Sequence, residues 1–146
     1  ELTLGILRKQ IYLDKVIELF TNKKLDLEVR IALRLGLYQL LFLDKIPAYS
    51  AINESVNLVI KVRKTSAKGF VNAILRRVTR EKVELNYSDE IEQISIETSH
   101  PHWLIERWVS QFGTEETKKL AEANNETPGL SFRFTAQATD AMRNSA

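Results

Sequence analysis

Apolar residues recur along the first eighty positions at helical spacing. Leu7, Ile11, Val16 and the pair Leu19–Phe20 return every three to five residues within Leu4–Phe20, the signature of an amphipathic helix. Asn22, Lys23 and Lys24 break that pattern. Asp26 is a predicted N-cap for the next helix, with Glu28 in its favourable first turn. This second helix runs to about Leu43 and is apolar almost all round, through Val29, Ile31, Leu33, Leu35, Leu37, Tyr38, Leu40, Leu41 and Phe42. A helix without a wet face belongs at the centre of a bundle. Gly36 in its middle costs about 1 kcal/mol against alanine, and the predicted return is close approach of a neighbouring helix. Pro47 ends the element, because the residue before a proline is pushed out of the helical region.

Ser50 is predicted to cap a helix from Ala51 to about Arg63, with Ile52, Val56, Val59 and Ile60 turned inward. Thr65 and Ser66 are candidate caps for a further helix from Ala67 to Arg80. On its wheel Phe70, Val71, Ile74, Leu75 and Val78 share one side. Four helices joined by short turns, with no strand pattern, predict an all-α bundle. Beyond Arg80 the chain turns polar, then Asp89–Thr98 reads as an acidic helix. Pro101 suits the first position of a helix whose core side is predicted as Leu104, Trp108 and Phe112, closed by Gly113. One more helix runs from Thr114 to near Asn124, and Phe132 with Phe134 alternate as the first strand of a following domain. The predicted organisation is a helical domain over 1–86, connecting helices over 87–129 and the start of a further domain over 130–146.

Charge sharpens this picture. The whole chain is only +2, yet residues 1–80 hold 15 basic against 7 acidic side chains and residues 81–146 hold 6 against 12, a split of +8 and −6. Between Ser55 and Arg80 stand Lys61, Arg63, Lys64, Lys68, Arg76, Arg77 and Arg80, and no acid. An apolar face to anchor on and a basic face opposite it suit a polyanionic partner. Arg76, Arg77 and Arg80 are the leading candidates for phosphate contact, since guanidinium groups grip phosphate oxygens bidentately. Lys61, Arg63, Lys64 and Lys68 flank the turn before that helix and widen the patch. A solvated helix face is the plainer alternative. Asn72 is expected to be a buried amide bonded to a neighbouring backbone group.

Other chemistry is thin. There is no cysteine, which removes disulfides, thiolate zinc sites and a cysteine nucleophile. His100 and His102 flank Pro101 without the spacing of a helical metal pair. No apolar run approaches the ~20 residues of a bilayer span, and a cytoplasmic setting is the expectation. The first residue is Glu and the chain opens inside a helical pattern, so further sequence is expected before it.

Three stretches stand together: LRLGLYQLLFLDKIPAYSAINESVNL (33–58), KGFVNAILRRVTRE (68–81) and SHPHWLIERWVSQFG (99–113). The first two resemble the NusB-like helical RNA-binding module. The third, followed by EANNETPGLSFRF, resembles what succeeds that module in bacterial 16S ribosomal RNA cytosine-C5 methyltransferases of the Sun/Fmu/RsmB type. The match weakens at Thr135, where the family's strand usually continues with Asn. The resemblance implies a parent enzyme that uses S-adenosylmethionine, with an N-terminal bundle that binds and positions the 16S ribosomal RNA. It implies cysteine catalysis and a glycine-rich cofactor loop in the family's catalytic domain. Neither occurs in these 146 residues, whose glycines are scattered at 5, 36, 69, 113 and 129, so this stretch is expected to bind RNA and not to catalyse, with no cofactor of its own. Its expected partners are the ribosomal RNA and its own catalytic domain. A stand-alone antitermination factor with the same bundle is the alternative, against which the run from Ser99 onward speaks. A helical module whose basic face meets an acidic protein is a third reading.

Overall fold

The computed structural model describes residues 2–126 and 129. Among these described residues eight α-helices follow one another: α1 (Leu2–Arg8), α2 (Gln10–Phe20), α3 (Leu27–Phe42), α4 (Ala48–Lys61), α5 (Lys68–Val78), α6 (Glu90–Thr98), α7 (His102–Phe112) and α8 (Thr114–Asn124). A short 3-10 turn, Thr65–Ala67, leads into α5. Among the described residues there is no strand, and the all-α expectation holds. The strand expected around Phe132 and Phe134 lies outside the described residues.

The first five helices share one interior. The greasy helix α3 sits in the middle, packed by α1, α2, α4 and α5, as its nearly continuous apolar surface requires. Leu13, Leu33, Leu37, Val59, Val71 and Leu75 are fully buried there. Gly36 explains how closely three of these helices approach. A Cβ at this position would stand 2.6 Å from Leu75 Cδ1 and 2.7 Å from Ser55 Oγ, so only hydrogen fits between α3, α4 and α5. Ser55 is buried at the same junction and satisfies itself by donating to the Ala51 carbonyl at 2.8 Å.

Helices α6, α7 and α8 form a smaller unit around Ile94, Ile105 and Ala121, edged by Ile91, Trp108 and Val109. The Asp89 carboxylate accepts the Glu92 amide at 2.7 Å and starts α6. Ser99 and Gly113 end α6 and α7 with φ of 55° and 79°. The unit docks on α2: the Tyr12 amide donates to Ser99 Oγ at 3.0 Å, and the Lys9 ammonium donates to the Glu97 carbonyl at 3.3 Å.

The largest departure from the sequence reading lies beside this joint. The single helix expected over Leu4–Phe20 is two, broken at Lys9 (φ −108°, ψ 17°). A backbone amide engaged by Ser99 is not available to the helical ladder. Other ends also shift. Helix α4 begins at Ala48, because Pro47, already at φ −60°, starts the first turn and its carbonyl accepts the Ser50 amide at 2.9 Å; Ser50 is therefore not the cap. Neither Thr65 nor Ser66 caps α5 through its side chain, and Asp26 holds the N-cap position of α3 without capping it. In α7 the inward register is rotated by one residue: Ile105 is fully buried, Leu104 and Trp108 are half-buried, and Phe112 is 55 % exposed.

A candidate nucleic-acid interface on α5

The buried face of α5, Val71, Ile74, Leu75 and Val78, fixes the rotation of the helix. Lys68, Arg76, Arg77 and Arg80 are consequently exposed. Lys61 ends α4 and is exposed, as is Arg63, which turns the chain with a left-handed φ of 60°. Lys64 is half-buried behind it. The seven cations expected from the sequence thus lie along α5 and the turn that precedes it.

They are not equivalent. Among the described residues no carboxylate oxygen lies within 4.0 Å of the charged group of Lys61, Arg63, Lys68, Arg76 or Arg80. Arg76 Nε donates to Asn72 Oδ1 at 3.1 Å, and Arg80 Nε donates to the Arg76 carbonyl at 3.2 Å. Both contacts orient a guanidinium without neutralising it. Asn72 is therefore half-buried and turned to an arginine rather than to backbone. Arg77 instead forms a fork with Glu81, at 2.8 and 2.9 Å, while its guanidinium lies 5.0 Å above the Phe20 ring. That hydrogen-bonded pairing raises the Arg77 pKa and lowers that of Glu81. Lys64 donates to Asp26 at 2.6 Å with Glu28 at 3.9 Å, and the hydrogen bond to Asp26 raises its pKa.

Two further cations join the surface that the sequence reading used only as helix breakers. Lys23 and Lys24 lie on the loop between α2 and α3, both exposed, and Lys23 Nζ stands 5.8 Å from the Phe70 ring centroid. The signal available in the sequence was a pair of adjacent lysines in the break between two helices. Other basic residues turn away from this role. Arg34 grips Asp14 at 2.7 and 2.6 Å, and burial lowers the pKa of Lys9 at the joint with α6. His100 is half-buried against Trp108, its ring nitrogen 2.9 Å from the Thr98 carbonyl. Among the described residues no group of three potential ligands is placed to hold a metal ion.

Residues 1–80, which hold the whole of this surface, match the model of the NusB family. The chain belongs to the NusB family. Residues 100–143 match a second model, the ferredoxin-like domain of the RsmF/B-like methyltransferases. The chain is 35% identical over 145 residues to a probable ribosomal RNA small subunit methyltransferase B of Bacillus subtilis, covering 96% of this chain and 32% of that protein. A protein of Pseudomonas putida named ribosomal RNA small subunit methyltransferase B is 40% identical over 111 residues, 76% of this chain and 25% of the relative. A Synechocystis counterpart is 35% identical over 145 residues, 95% and 32%. The chain spans about a third or less of the length of these relatives. The described residues do not fit S-adenosylmethionine: Gly5 and Gly36 are closed in by Tyr38 and by Leu75, Gly69 and Gly113 stand open on helix ends, and among the described residues no glycine-rich loop is placed to cradle a cofactor. Among the described residues no helix is long and apolar enough to cross a membrane.

Proposed function

We propose that this NusB-family bundle is the RNA-binding part of an S-adenosylmethionine-dependent ribosomal RNA (cytosine-C5) methyltransferase of the cytoplasm. It positions 16S ribosomal RNA for a catalytic domain outside these residues. The bundle over 1–86 binds the RNA, the helices over 87–129 connect, and 130–146 begin the methyltransferase side, so that its own catalytic domain is the second partner. The observation that carries this reading is the row of exposed cations Lys61, Arg63, Lys68, Arg76 and Arg80, which among the described residues have no carboxylate within 4.0 Å. The names of the relatives and the second family match support it over a stand-alone antitermination factor.

Arg76 and Arg80 are the principal phosphate contacts, with Lys68, Lys61 and Arg63 beside them. Arg77 and Lys64 contribute less because Glu81 and Asp26 already hold them. Replacing Arg76→Glu and Arg80→Glu together weakens binding to a 16S-derived RNA at least about tenfold and reduces the salt slope by about 1.4, at about 0.7 per contact on a single strand. Circular dichroism stays that of the parent, since both side chains are exposed. A doubly reversed protein that binds this RNA as tightly as its parent removes the reading.

A further inference from the structure

Where the three-helix unit meets the bundle, the two leave a cleft of about 230 Å³. Lys9, at the break between α1 and α2, lines it together with Ile94 and Glu97 of α6 and Lys118 and Glu122 of α8. The ammonium of Lys9 is held weakly for a half-buried charge. It donates to the Glu97 carbonyl at 3.3 Å and stands 5.7 Å from the Phe42 ring centroid. Among the described residues no carboxylate oxygen lies within 4.0 Å of it. Lys64 and Lys119 are raised in pKa by hydrogen-bonded acids, whereas Lys9 goes the other way. Burial disfavours its charge more than the nearby Glu97 favours it. A desolvated lysine spends more time as the neutral amine, the form with a lone pair to attack with.

The cleft also holds what an anionic reagent needs. Lys118 is exposed on α8 and likewise has no carboxylate within 4.0 Å among the described residues. Of the two acids in the lining, Glu97 is engaged by Gln93, whose Nε2 donates to it at 3.0 Å. We propose that Lys9 is an acylation site, and that the cleft takes an acyl phosphate as donor, its phosphate on Lys118 and its acyl carbon at the Lys9 amine. The Nζ lone pair forms a bond to the acyl carbon while the bond from that carbon to the phosphate oxygen breaks. The electron pair leaves on inorganic phosphate, which takes up the proton that the nitrogen sheds. Acylation removes the charge that lies over Phe42 and adds bulk where α6 approaches the bundle. The modified side chain therefore loosens the three-helix unit. None of these residues lies on α5, so the site is independent of the RNA reading.

Peptide mass spectrometry after treatment of this chain with acetyl phosphate tests the assignment. Lys9 gains the acetyl group several-fold faster than Lys24 and Lys61, which are exposed outside the cleft. Lys118→Ala, at an exposed position, slows the reaction of Lys9 with acetyl phosphate but not with acetic anhydride, which has no phosphate to hold. Hydrogen exchange reads the consequence: Lys9→Gln speeds exchange in α6 while α3 keeps its protection, and Lys9→Arg, which keeps the charge, does not. Labelling of Lys9 no faster than that of Lys24 and Lys61 overturns the site. An equal effect of Lys118→Ala on both reagents overturns the phosphate contact, and parental exchange in Lys9→Gln overturns the loosening.

Discussion

The bundle of α1–α5 and the three-helix unit of α6–α8 are stabilised in different ways. In the first, sixteen buried side chains form one cluster; in the second the buried cluster is Ile94, Ile105 and Ala121. An interior that small gives little independent stability, and the unit rests on the bundle through polar links. These are Tyr12 to Ser99, Lys9 to the Glu97 carbonyl, and Lys15 to Glu92 at 3.4 Å. Charge divides the same way, +8 over residues 1–80 and −6 over 81–146. The candidate interface on α5 therefore stands on the part with the larger buried core. The acidic part is attached by contacts that open more easily.

The sharpest way to break this comparison is Ile105→Ala. Truncating a fully buried isoleucine costs about 2–5 kcal/mol, and here nearly all of it falls on a three-residue core. Hydrogen exchange should show α6–α8 losing protection while the amides of α3 keep theirs. Equal loss in both regions would mean that the molecule opens as one cooperative body. Ser99→Ala acts on the joint itself: it leaves the Tyr12 amide without its acceptor, a cost of about 1–2 kcal/mol. Proteolysis between α5 and α6 should quicken, and an unchanged cleavage rate would assign the docking to other contacts. Gly36→Ala probes the rigid side. The added methyl meets Leu75 and Ser55, and overpacking of about 1–3 kcal/mol exceeds the helix-propensity gain of about 1 kcal/mol. The melting temperature falls by a few degrees; a rise would show slack where α3, α4 and α5 meet.

The smallest effect is set by pH. Hydrogen bonds from the Ser88 amide and hydroxyl, at 2.6 and 2.7 Å, with Lys15 adding to them, hold Glu92 down to about 2 from an ordinary 4.5. A carboxyl depressed on folding adds stability above its unfolded pKa, and that stability is lost as pH falls toward the folded value. The start of α6 should therefore loosen between about pH 4.5 and 2. In Glu92→Gln the acid-side decline of the α6–α8 transition should flatten over that window. A decline as steep as the parent's would place the acid sensitivity elsewhere.

Much of the fold was legible in periodicity. The central position of α3 followed from its apolar circumference, and the role of Gly36 followed from a glycine standing where alanine would make a better helix. Where the reading slipped, a distant group intervened. Asp26 belongs to a good capping type but spends its carboxylate on Lys64, thirty-eight residues away. The arc Leu104, Trp108, Phe112 and the arc through Ile105 are nearly equal in apolar content, and only the placement of α6 and α8 selects Ile105. At the candidate interface all seven cations were visible in the sequence, whereas their division into free and paired was not. Lys23 and Lys24 went unread because the cleft they line joins segments more than forty residues apart.

By itself the sequence determined the helical class, the order of the elements, the separation of basic from acidic halves and the one glycine at the crowded junction. Each of these follows from spacing within a few turns, where side chains that share a face are buried or exposed together. Only the tertiary structure decided that α1 and α2 break at Lys9, that Glu81 and Asp26 restrain Arg77 and Lys64, and that Phe70 lies beneath Lys23. Those outcomes depend on which remote groups come within hydrogen-bonding or van der Waals reach, and such short-range energies are settled by packing, not by local pattern.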